Sequence, residues 1–359
     1  PVGTGFSFGN ANIFTTHKAT EYLYEFLQNF YKIFPQYHTN AFGIWASDYG
    51  SAFATSLAVQ ILLENAGVGY SKSPSQVYMN LTSLGLESPN IDPELQLKTV
   101  PIYLGNNKWL EVHKPDKAKK LWNDFEKIFG HNLENCAEGK KQKCGQVMIR
   151  YRKYLQSITS PENLRTKFDL WDIRNARYES DQARNARMKA TPAAKWLNKP
   201  RTQTHLGVTG GKLNRPHANF EPWNTAVAAG FWQQQEIQSK VRTLIVGGDA
   251  DVIANYFGLR SVAEDVVYVD SGDFQRTGFN PLVWNASAFG LDYKNDPMKE
   301  AGEYKQFGDL AFVKVKEAGH VIGESKPEVL VNLFWRHVKG LHLDVALLPK
   351  KKGKEDDVE

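Results

Sequence analysis

Runs of apolar residues separated by helical stretches predict a sheet of parallel strands in the first part of the chain. Phe42–Ala46 is a short, continuous apolar run, which is typical of a buried parallel strand. Small and apolar residues then recur at helical spacing over Ser51–Asn65. Val77–Leu86 contains β-branched and aromatic residues with alternating polarity, and it predicts the next strand.

The same pattern returns near the end of the chain. Arg242–Val246 and Ala311–Val315 predict strands, and Asn255–Val262 and Pro327–Val338 predict the helices that follow them. Residues 92–217, which lie between these two α/β parts, are instead polar, helical in period and rich in Lys, Arg and aromatic residues. We interpret this segment as a helical cap inserted over the sheet.

Three residues whose side chains can act as a nucleophile, an acid or a base directly follow predicted strands. They are Asp48, Asp251 and His320. The carboxyl ends of parallel strands share one edge of the sheet, where functional residues collect, so we expect the three to converge. Their order along the chain, nucleophile then acid then base, is that of the α/β-hydrolase triad. Asp48 also lies between the small residues Ala46 and Gly50, as the tight strand-to-helix turn of a nucleophile elbow requires.

Longer motifs extend this pattern over most of the chain. They are Pro1–Phe8, Phe26–Phe30, Trp45–Gly50, Leu84–Asp92, Trp171–Arg174, Trp196–Asn198, Gly248–Asn255 and Glu317–His320. From Pro1 to Gly340, in consistent order, these segments resemble the motifs of serine carboxypeptidases. The resemblance implies an α/β-hydrolase fold with a central, mostly parallel sheet. It divides the chain into a first core part (1–91), the helical cap (92–217), a second core part (218–345) and a disordered tail (346–359).

The resemblance also implies an activity, which is the removal of C-terminal residues from peptides by a serine nucleophile. The family's acid corresponds to Asp251 and its base to His320. Its serine corresponds to Asp48, and the preceding glutamate, which helps to bind the substrate carboxylate, corresponds to Ser47. One of the two oxyanion donors corresponds to the backbone N–H of Tyr49.

One further motif of the family is altered in this chain, and two others are expected outside this sequence. A Gly-Asn-Gly turn is replaced by Glu87–Pro89. The loop that supplies the second oxyanion N–H, and a second acidic residue, are expected upstream of Pro1. Loss of a triad serine costs about 10^6 in kcat, and loss of one oxyanion donor costs about 10^2–10^3. A carboxylate at the elbow is also a poor nucleophile toward an amide carbonyl, so peptide hydrolysis at Asp48 is disfavoured.

Three functional hypotheses follow from these residues. The first is a homologue without peptidase activity that binds a peptide or small molecule in the cleft under the cap, or that acts in assembly. The second is an enzyme that uses Asp48 as a nucleophile on an sp3 carbon, while His320, held by Asp251, activates water to cleave the resulting ester. Alternatively, such an enzyme uses Asp48 as a general acid or base. The third is an active serine-type carboxypeptidase.

The net charge and its distribution limit the kinds of binding partner that we expect. The net charge is +5, and basic residues concentrate between Lys108 and Arg215, which we interpret as solvated helix faces. No nucleic-acid-binding motif accompanies this charge, so we expect no nucleic-acid partner.

No apolar run is long enough to span a membrane. We expect neither a metal nor another cofactor at the site.

Several features indicate the secretory pathway, with a vacuolar or extracellular destination. Asn80 and Asn285 begin two glycosylation sequons. Cys136 and Cys144 lie close enough in sequence for a short-loop disulfide, with two free thiols as the alternative. Because Pro1 is not a Met, we expect it not to be the start of the translated product, and an upstream N-terminal fragment of the same fold is a candidate partner.

Overall fold

A computed structural model describes the backbone of most of the chain. The described residues are 5–7, 13, 15–67, 76–109, 115–130, 132–133, 135, 147, 150–151, 153–155, 158, 168–175, 181–208, 241–285 and 298–343. Cys136, Cys144, the predicted tail and most of the Pro1–Phe8 motif lie outside these residues, as does the side chain of Asn285.

Six strands form one sheet in the described part of the chain. They are β1 (Phe42–Ser47), β2 (Leu81–Glu87), β3 (Arg242–Gly248), β4 (Asn280–Asn285), β5 (Met298–Phe307) and β6 (Leu310–Val315). Their order across the sheet is β1-β2-β3-β6-β5-β4. The first four of these neighbours run parallel, whereas β5 pairs antiparallel with both β6 and β4. The predicted α/β fold with a mostly parallel sheet is therefore confirmed.

Twelve α-helices lie in the described residues. They are α1 (Thr16–Ile33), α2 (Gly50–Asn65), α3 (Pro93–Lys98), α4 (Val100–Asn106), α5 (Pro115–Phe129), α6 (Asp181–Lys189), α7 (Pro192–Leu197), α8 (Pro200–His205), α9 (Tyr256–Asp265), α10 (Ser271–Arg276), α11 (Ile322–Ser325) and α12 (Pro327–Lys339). A 3-10 turn, Pro35–Tyr37, follows α1. Among the described residues, no helix combines the length and the apolar character needed to cross a membrane.

Helices cover both faces of the sheet, because apolar side chains of the strands point to both faces and must be buried. On one face, Leu84, Leu86 and Ile245 pack with residues of α1, α2 and α9. On the other face, Leu244 and Val246 pack with residues of α12. The parallel strands are apolar on both sides because each of their two faces meets a helical layer.

A third apolar cluster joins the predicted cap to the loop that follows β3. It contains Phe125 and Phe129 of α5, Tyr151 and Tyr154, and also Val252 of the β3 loop. The helical segment therefore packs beside the carboxyl end of the sheet. The exact limits of the cap, 92–217, remain a prediction.

The structure corrects the strand predictions in two respects. The second strand begins at Leu81 rather than Val77, because residues 77–80 precede the parallel pairing with β1. The first strand was predicted to be buried, but β1 is the terminal strand of the described sheet and is only partly buried. Its apolar sequence is nonetheless that of an inner strand, and this mismatch bears on the partner proposed below.

Candidate functional site

Asp48 occupies a sharp turn between β1 and α2. Its φ of 52° lies in the left-handed region, which Asp tolerates better than most residues. Its backbone N–H donates to the Glu87 carbonyl at 3.0 Å, and its carbonyl accepts from the N–H groups of Ser51 and Asn90 at 3.0 and 3.2 Å. These bonds attach the turn to the end of β2 and to the start of α2. The backbone thus has the strand–turn–helix form of a nucleophile elbow.

The small residues on either side of this turn lie close to each other. A Cβ built on Gly50 would lie 3.8 Å from the Cβ of Ala46, which is ordinary van der Waals contact. The two positions that the sequence pattern singled out are therefore neighbours across the turn.

Asp251 is held at the end of β3 with no exposed surface. Its Oδ1 accepts from the backbone N–H groups of Ile253 and Ala254 at 2.9 and 3.1 Å. Its Oδ2 lies 2.8 Å from Nδ1 of His320. One oxygen therefore fixes the loop, while the other fixes the orientation of the imidazole ring, which is the role of the acid in a triad.

His320 lies in the loop after β6 and is 4% exposed. Its backbone N–H donates to the Trp171 carbonyl at 2.7 Å, and its carbonyl accepts from Oγ of Ser88 at 2.8 Å. The indole of Trp171 meets the imidazole edge-on, with ring centroids 4.3 Å apart. The backbone and the ring of His320 are therefore both held by neighbouring segments.

The three predicted side chains converge. Nε2 of His320 lies 3.7 Å from Oδ1 of Asp48, a distance longer than a hydrogen bond but within the range of an ion pair. The Asp48 side chain is 28% exposed, whereas His320 and Asp251 are buried. The imidazole of His320 thus lies between two carboxylates, one beyond each ring nitrogen.

Ser47 and Tyr49, the neighbours of Asp48, point to different surroundings. Ser47 is exposed at the end of β1, in register with Glu87. The Tyr49 hydroxyl lies 2.9 Å from Oγ1 of Thr16, and burial raises the pKa of this phenol. The Tyr49 side chain thus joins the elbow to the start of α1.

Glu87 is a site residue whose role sequence reasoning missed. It ends β2, is 7% exposed, and its Oε1 accepts from the Ile322 N–H at 3.0 Å. Burial raises the pKa of this carboxyl, while the N–H groups of Ile322 and Gly323 and the nearby His320 oppose the shift. The signal in the sequence was a charged residue at the carboxyl end of a buried strand, where the related motif has glycine.

Tyr151 of the helical segment was also missed. It is 6% exposed and belongs to the cluster that contains the loop after β3. Burial, and then the negative charges of Asp251 and Asp48, raise the pKa of its phenol beyond the ordinary range. Tyr151 therefore remains a protonated hydroxyl within electrostatic reach of both carboxylates.

Metal binding finds no support in the described part of the chain, where no group of three or more His, Cys, Asp or Glu side chains is arranged to hold an ion. The arrangement at the strand ends is that of an imidazole between two carboxylates. In general, such an arrangement can serve proton transfer or attack by a carboxylate oxygen.

The chain is similar in sequence to several known carboxypeptidases. Carboxypeptidase S1 of Penicillium janthinellum is 24% identical over 343 residues, which cover 93% of this chain and 75% of that protein. Carboxypeptidase Y of Komagataella phaffii is 24% identical, with coverage of 95% and 61%. A vacuolar serine-type carboxypeptidase of Saccharomyces cerevisiae is 22% identical, with coverage of 95% and 64%. The chain thus spans less than two thirds of the last two relatives.

The fold is matched by the crystal structure of Kex1(delta)p, a prohormone-processing carboxypeptidase from Saccharomyces cerevisiae. The TM-score is 0.66 at 17% sequence identity, and the match covers 95% of this chain and 72% of that one. The α/β-hydrolase fold predicted from the motifs is therefore confirmed. The family model described as "Serine carboxypeptidase" matches residues 1–340. The chain belongs to the serine carboxypeptidase family.

Proposed function

We propose that this member of the family does not cleave peptides by the serine mechanism and that its site binds a peptide or small-molecule ligand in the cleft beneath the helical segment. The observation that carries the proposal is the position of Asp48. It occupies the elbow between β1 and α2, with Oδ1 3.7 Å from Nε2 of His320. The position from which a hydroxyl would attack therefore holds a carboxylate.

The chemistry of a carboxylate at this position opposes peptide cleavage. Attack on an amide would give a tetrahedral intermediate whose oxyanion forms beside the remaining negative charge of the site. Collapse of that intermediate would expel the carboxylate more readily than the amine. Loss of the nucleophile in a serine hydrolase costs about 10^6 in kcat, so residual cleavage would lie near the detection limit.

Release of C-terminal residues from blocked dipeptides tests this proposal. We expect the unmodified chain to release none above a buffer control, with Penicillium janthinellum carboxypeptidase S1 as the positive control for the assay. Asp48→Ser alone should not reach the activity of that relative, because Ser47 is also altered relative to the family pattern. Clear release by the unmodified chain would contradict the proposal and support an active carboxypeptidase.

A second candidate function is an enzyme that uses Asp48 itself. The specific observation in its favour is the 2.8 Å contact between His320 and Asp251, which retains an oriented imidazole beside Asp48. An Asp48 oxygen would attack an sp3 carbon and displace its leaving group to form an ester. His320 would then take a proton from water, and the hydroxide would attack the ester carbonyl, releasing the alcohol and regenerating the carboxylate.

An alkyl-enzyme adduct tests the second candidate. His320→Gln should trap the ester after incubation with a small epoxide, and intact mass should rise by the mass of that epoxide. Asp48→Asn in the same background is the matched control and should form no adduct. Absence of any adduct on Asp48 with a panel of epoxides and haloalkanes would contradict this second candidate.

We also propose that a further segment of the same family fold, of the kind expected upstream of residue 1, adds to the outer edge of β1. This edge is flanked on one face by α1, where Tyr31 meets Phe42, and on the other by α12, where Phe334 meets Trp45 with ring centroids 5.1 Å apart. Both helices also carry large apolar residues that are exposed. They are Tyr22, Phe26 and Ile33 on α1 and Phe334, Trp335 and Val338 on α12.

The size and composition of these faces support a protein occupant. Phe26 and Ile33 are 64% and 69% exposed, and Trp335 is 49% exposed. Such faces on both sides of an apolar terminal strand are typical of an interface rather than of a solvated edge. The relatives and the solved fold extend beyond the part that this chain matches, which makes a strand-bearing segment of the same fold the best occupant.

Co-expression tests this partner. The unmatched segment of carboxypeptidase S1, produced as a separate polypeptide, should co-purify with this chain and protect the β1 amides from hydrogen exchange. Phe26→Lys with Trp335→Lys should abolish both effects, whereas Val267→Lys, at a site that is 86% exposed elsewhere, should not. Absence of protection, or a homodimer joined through β1, would contradict the proposal.

We further propose that the chain enters the secretory pathway. One of the relatives is named as a vacuolar enzyme, and Asn80 is a partly exposed sequon residue at the start of the β1–β2 pairing. Glycosylation at Asn80 would show as a glycosidase-sensitive mass that is lost in Asn80→Gln. An unglycosylated chain from a secreting host would contradict this part of the proposal.

A further inference from the structure

Two consecutive residues at the end of β2 hold the two sides of the His320 turn. Ser88 donates its hydroxyl to the His320 carbonyl at 2.8 Å. Glu87 accepts the Ile322 N–H at 3.0 Å, two residues further along. Both side chains are buried, at 0% exposure for Ser88 and 7% for Glu87, so water does not compete for either bond.

The backbone of the same residues holds the elbow. The Glu87 carbonyl accepts the Asp48 N–H at 3.0 Å, so Glu87 is bonded to Asp48 through its main chain and to Ile322 through its side chain. Asp48 and His320, whose side chains must meet across the site, are thus attached to one dipeptide. A path of three hydrogen bonds through this dipeptide therefore connects them, in addition to the contact between the Asp48 carboxylate and the imidazole.

Ser88 adopts a backbone conformation that this role explains. Its φ of 43° lies in the left-handed region, which costs free energy for a residue other than glycine. The Ser88 N–H donates to the Val246 carbonyl at 2.7 Å, which holds the residue against β3. Strain of this kind persists only where the surroundings enforce it, and here it accompanies a hydroxyl directed at the His320 carbonyl.

The other contacts of His320 do not replace this path. Asp251 fixes the rotation of the ring through Nδ1, and the Trp171 carbonyl fixes the His320 N–H. Neither of these two contacts involves β2. The hydrogen bonds of Glu87 and Ser88 link the His320 turn to the Asp48 turn through the end of β2, in addition to the 3.7 Å approach of the Asp48 and His320 side chains.

We propose that Glu87 and Ser88 are positioning residues that set the separation between Asp48 and the His320 imidazole. The proposal rests on the function proposed above only in taking Asp48 and His320 as the working pair. It applies equally to a binding site and to an enzyme, since each needs the carboxylate and the imidazole at a fixed separation. It assigns a role to two of the three residues that replace the family's Gly-Asn-Gly turn.

NMR of the His320 ring tests the proposal with three variants. Glu87→Ala and Ser88→Ala each remove one hydrogen bond of the path, and we expect the single sharp set of ring signals to be lost through broadening or splitting. Glu87→Gln keeps an Oε1 acceptor for the Ile322 N–H and should restore the single set. Ser261→Ala is the matched control, because Ser261 bonds only the Phe257 carbonyl of its own helix.

The outcomes separate positioning from general stability. Thermal melts of the same variants report loss of folding stability, while the ring signals report the site. Ring signals that stay unchanged in Ser88→Ala and Glu87→Ala, whatever happens to Tm, would overturn the proposal, as would equal broadening in Ser261→Ala. If Glu87→Ala does not fold, Ser88→Ala decides the question alone. Peptide cleavage by the unmodified chain would refute the proposed function without altering these signals.

Discussion

His337 should make this protein sensitive to mild acid. It lies on α12 beneath the β1–β2 pair, 8% exposed, with its ring centroid 6.2 Å from that of Trp45. Burial, and then the positive charge of Arg242, lower its pKa from 6.5 to about 4, against a hydrogen bond to the Leu84 backbone that opposes the shift. Its Nε2 is buried and has no hydrogen-bond partner among the residues that the structure describes.

The sign and size of the effect follow from proton linkage. The folded protein keeps His337 neutral, whereas the unfolded chain takes up a proton near its ordinary pKa of 6.5. The contribution of His337 to the free energy of unfolding is therefore fully present when the pH is above 6.5, and it is lost as the pH falls toward about 4. At roughly 1.36 kcal/mol per pH unit, the total is about 3 kcal/mol, of which about 2 kcal/mol disappears between pH 7 and pH 5.

Urea unfolding at pH 7 and pH 5 measures this contribution. The unmodified chain should lose about 2 kcal/mol more between the two pH values than His337→Asn, which cannot take up the proton. His205→Asn is the control, because His205 is exposed at the end of α8. Equal pH dependence in the unmodified chain and in His337→Asn would refute the reasoning, since it would show that His337 is not held neutral.

Three further substitutions test the site and the sheet that supports it. Asp251→Ala should destabilise the fold by about 3–5 kcal/mol in thermal or urea unfolding, because it leaves a buried imidazole and two backbone N–H groups without their acceptor. Asp251→Asn presents an N–H toward Nδ1 of His320, so the ring proton should move to Nε2. Ring 15N shifts would show this change. Unchanged shifts would contradict the 2.8 Å pairing of His320 with Asp251. Gly85→Ala should cost at least about 1–3 kcal/mol, since its Cβ would collide with the Trp45 indole, whereas Gly278→Ala has open space and should cost far less.

The parallel strands and the meeting of Asp48, Asp251 and His320 were accessible from sequence because both depend on local patterns. A continuous apolar run predicts an inner strand, and the topology of parallel strands brings their carboxyl ends together. The antiparallel pair β4–β5 was not predicted. Its longer strand, Met298–Phe307, is polar in composition, although Lys305 within it is 2% exposed. Lys305 is buried because Glu264, 2.8 Å away on α9, supplies a counter-charge that no local pattern reveals.

The roles of Glu87 and Tyr151 were inaccessible for a similar reason. Glu87 acts through Ile322, which is more than two hundred residues away in sequence, and only the pairing of β2 with its neighbours brings them together. Tyr151 approaches Asp48 through the packing of the helical segment against the loop after β3. Sequence spacing carries no information on contacts of this kind.

Fluorophosphonate labelling followed by intact mass is the most direct test of the central claim, that a carboxylate rather than an activated hydroxyl faces His320. These reagents modify a serine that an adjacent imidazole has activated. We expect no mass increase for the unmodified chain under conditions that label the vacuolar serine-type carboxypeptidase of Saccharomyces cerevisiae. Stoichiometric labelling, mapped to Ser47 or Ser51 beside the elbow, would contradict it.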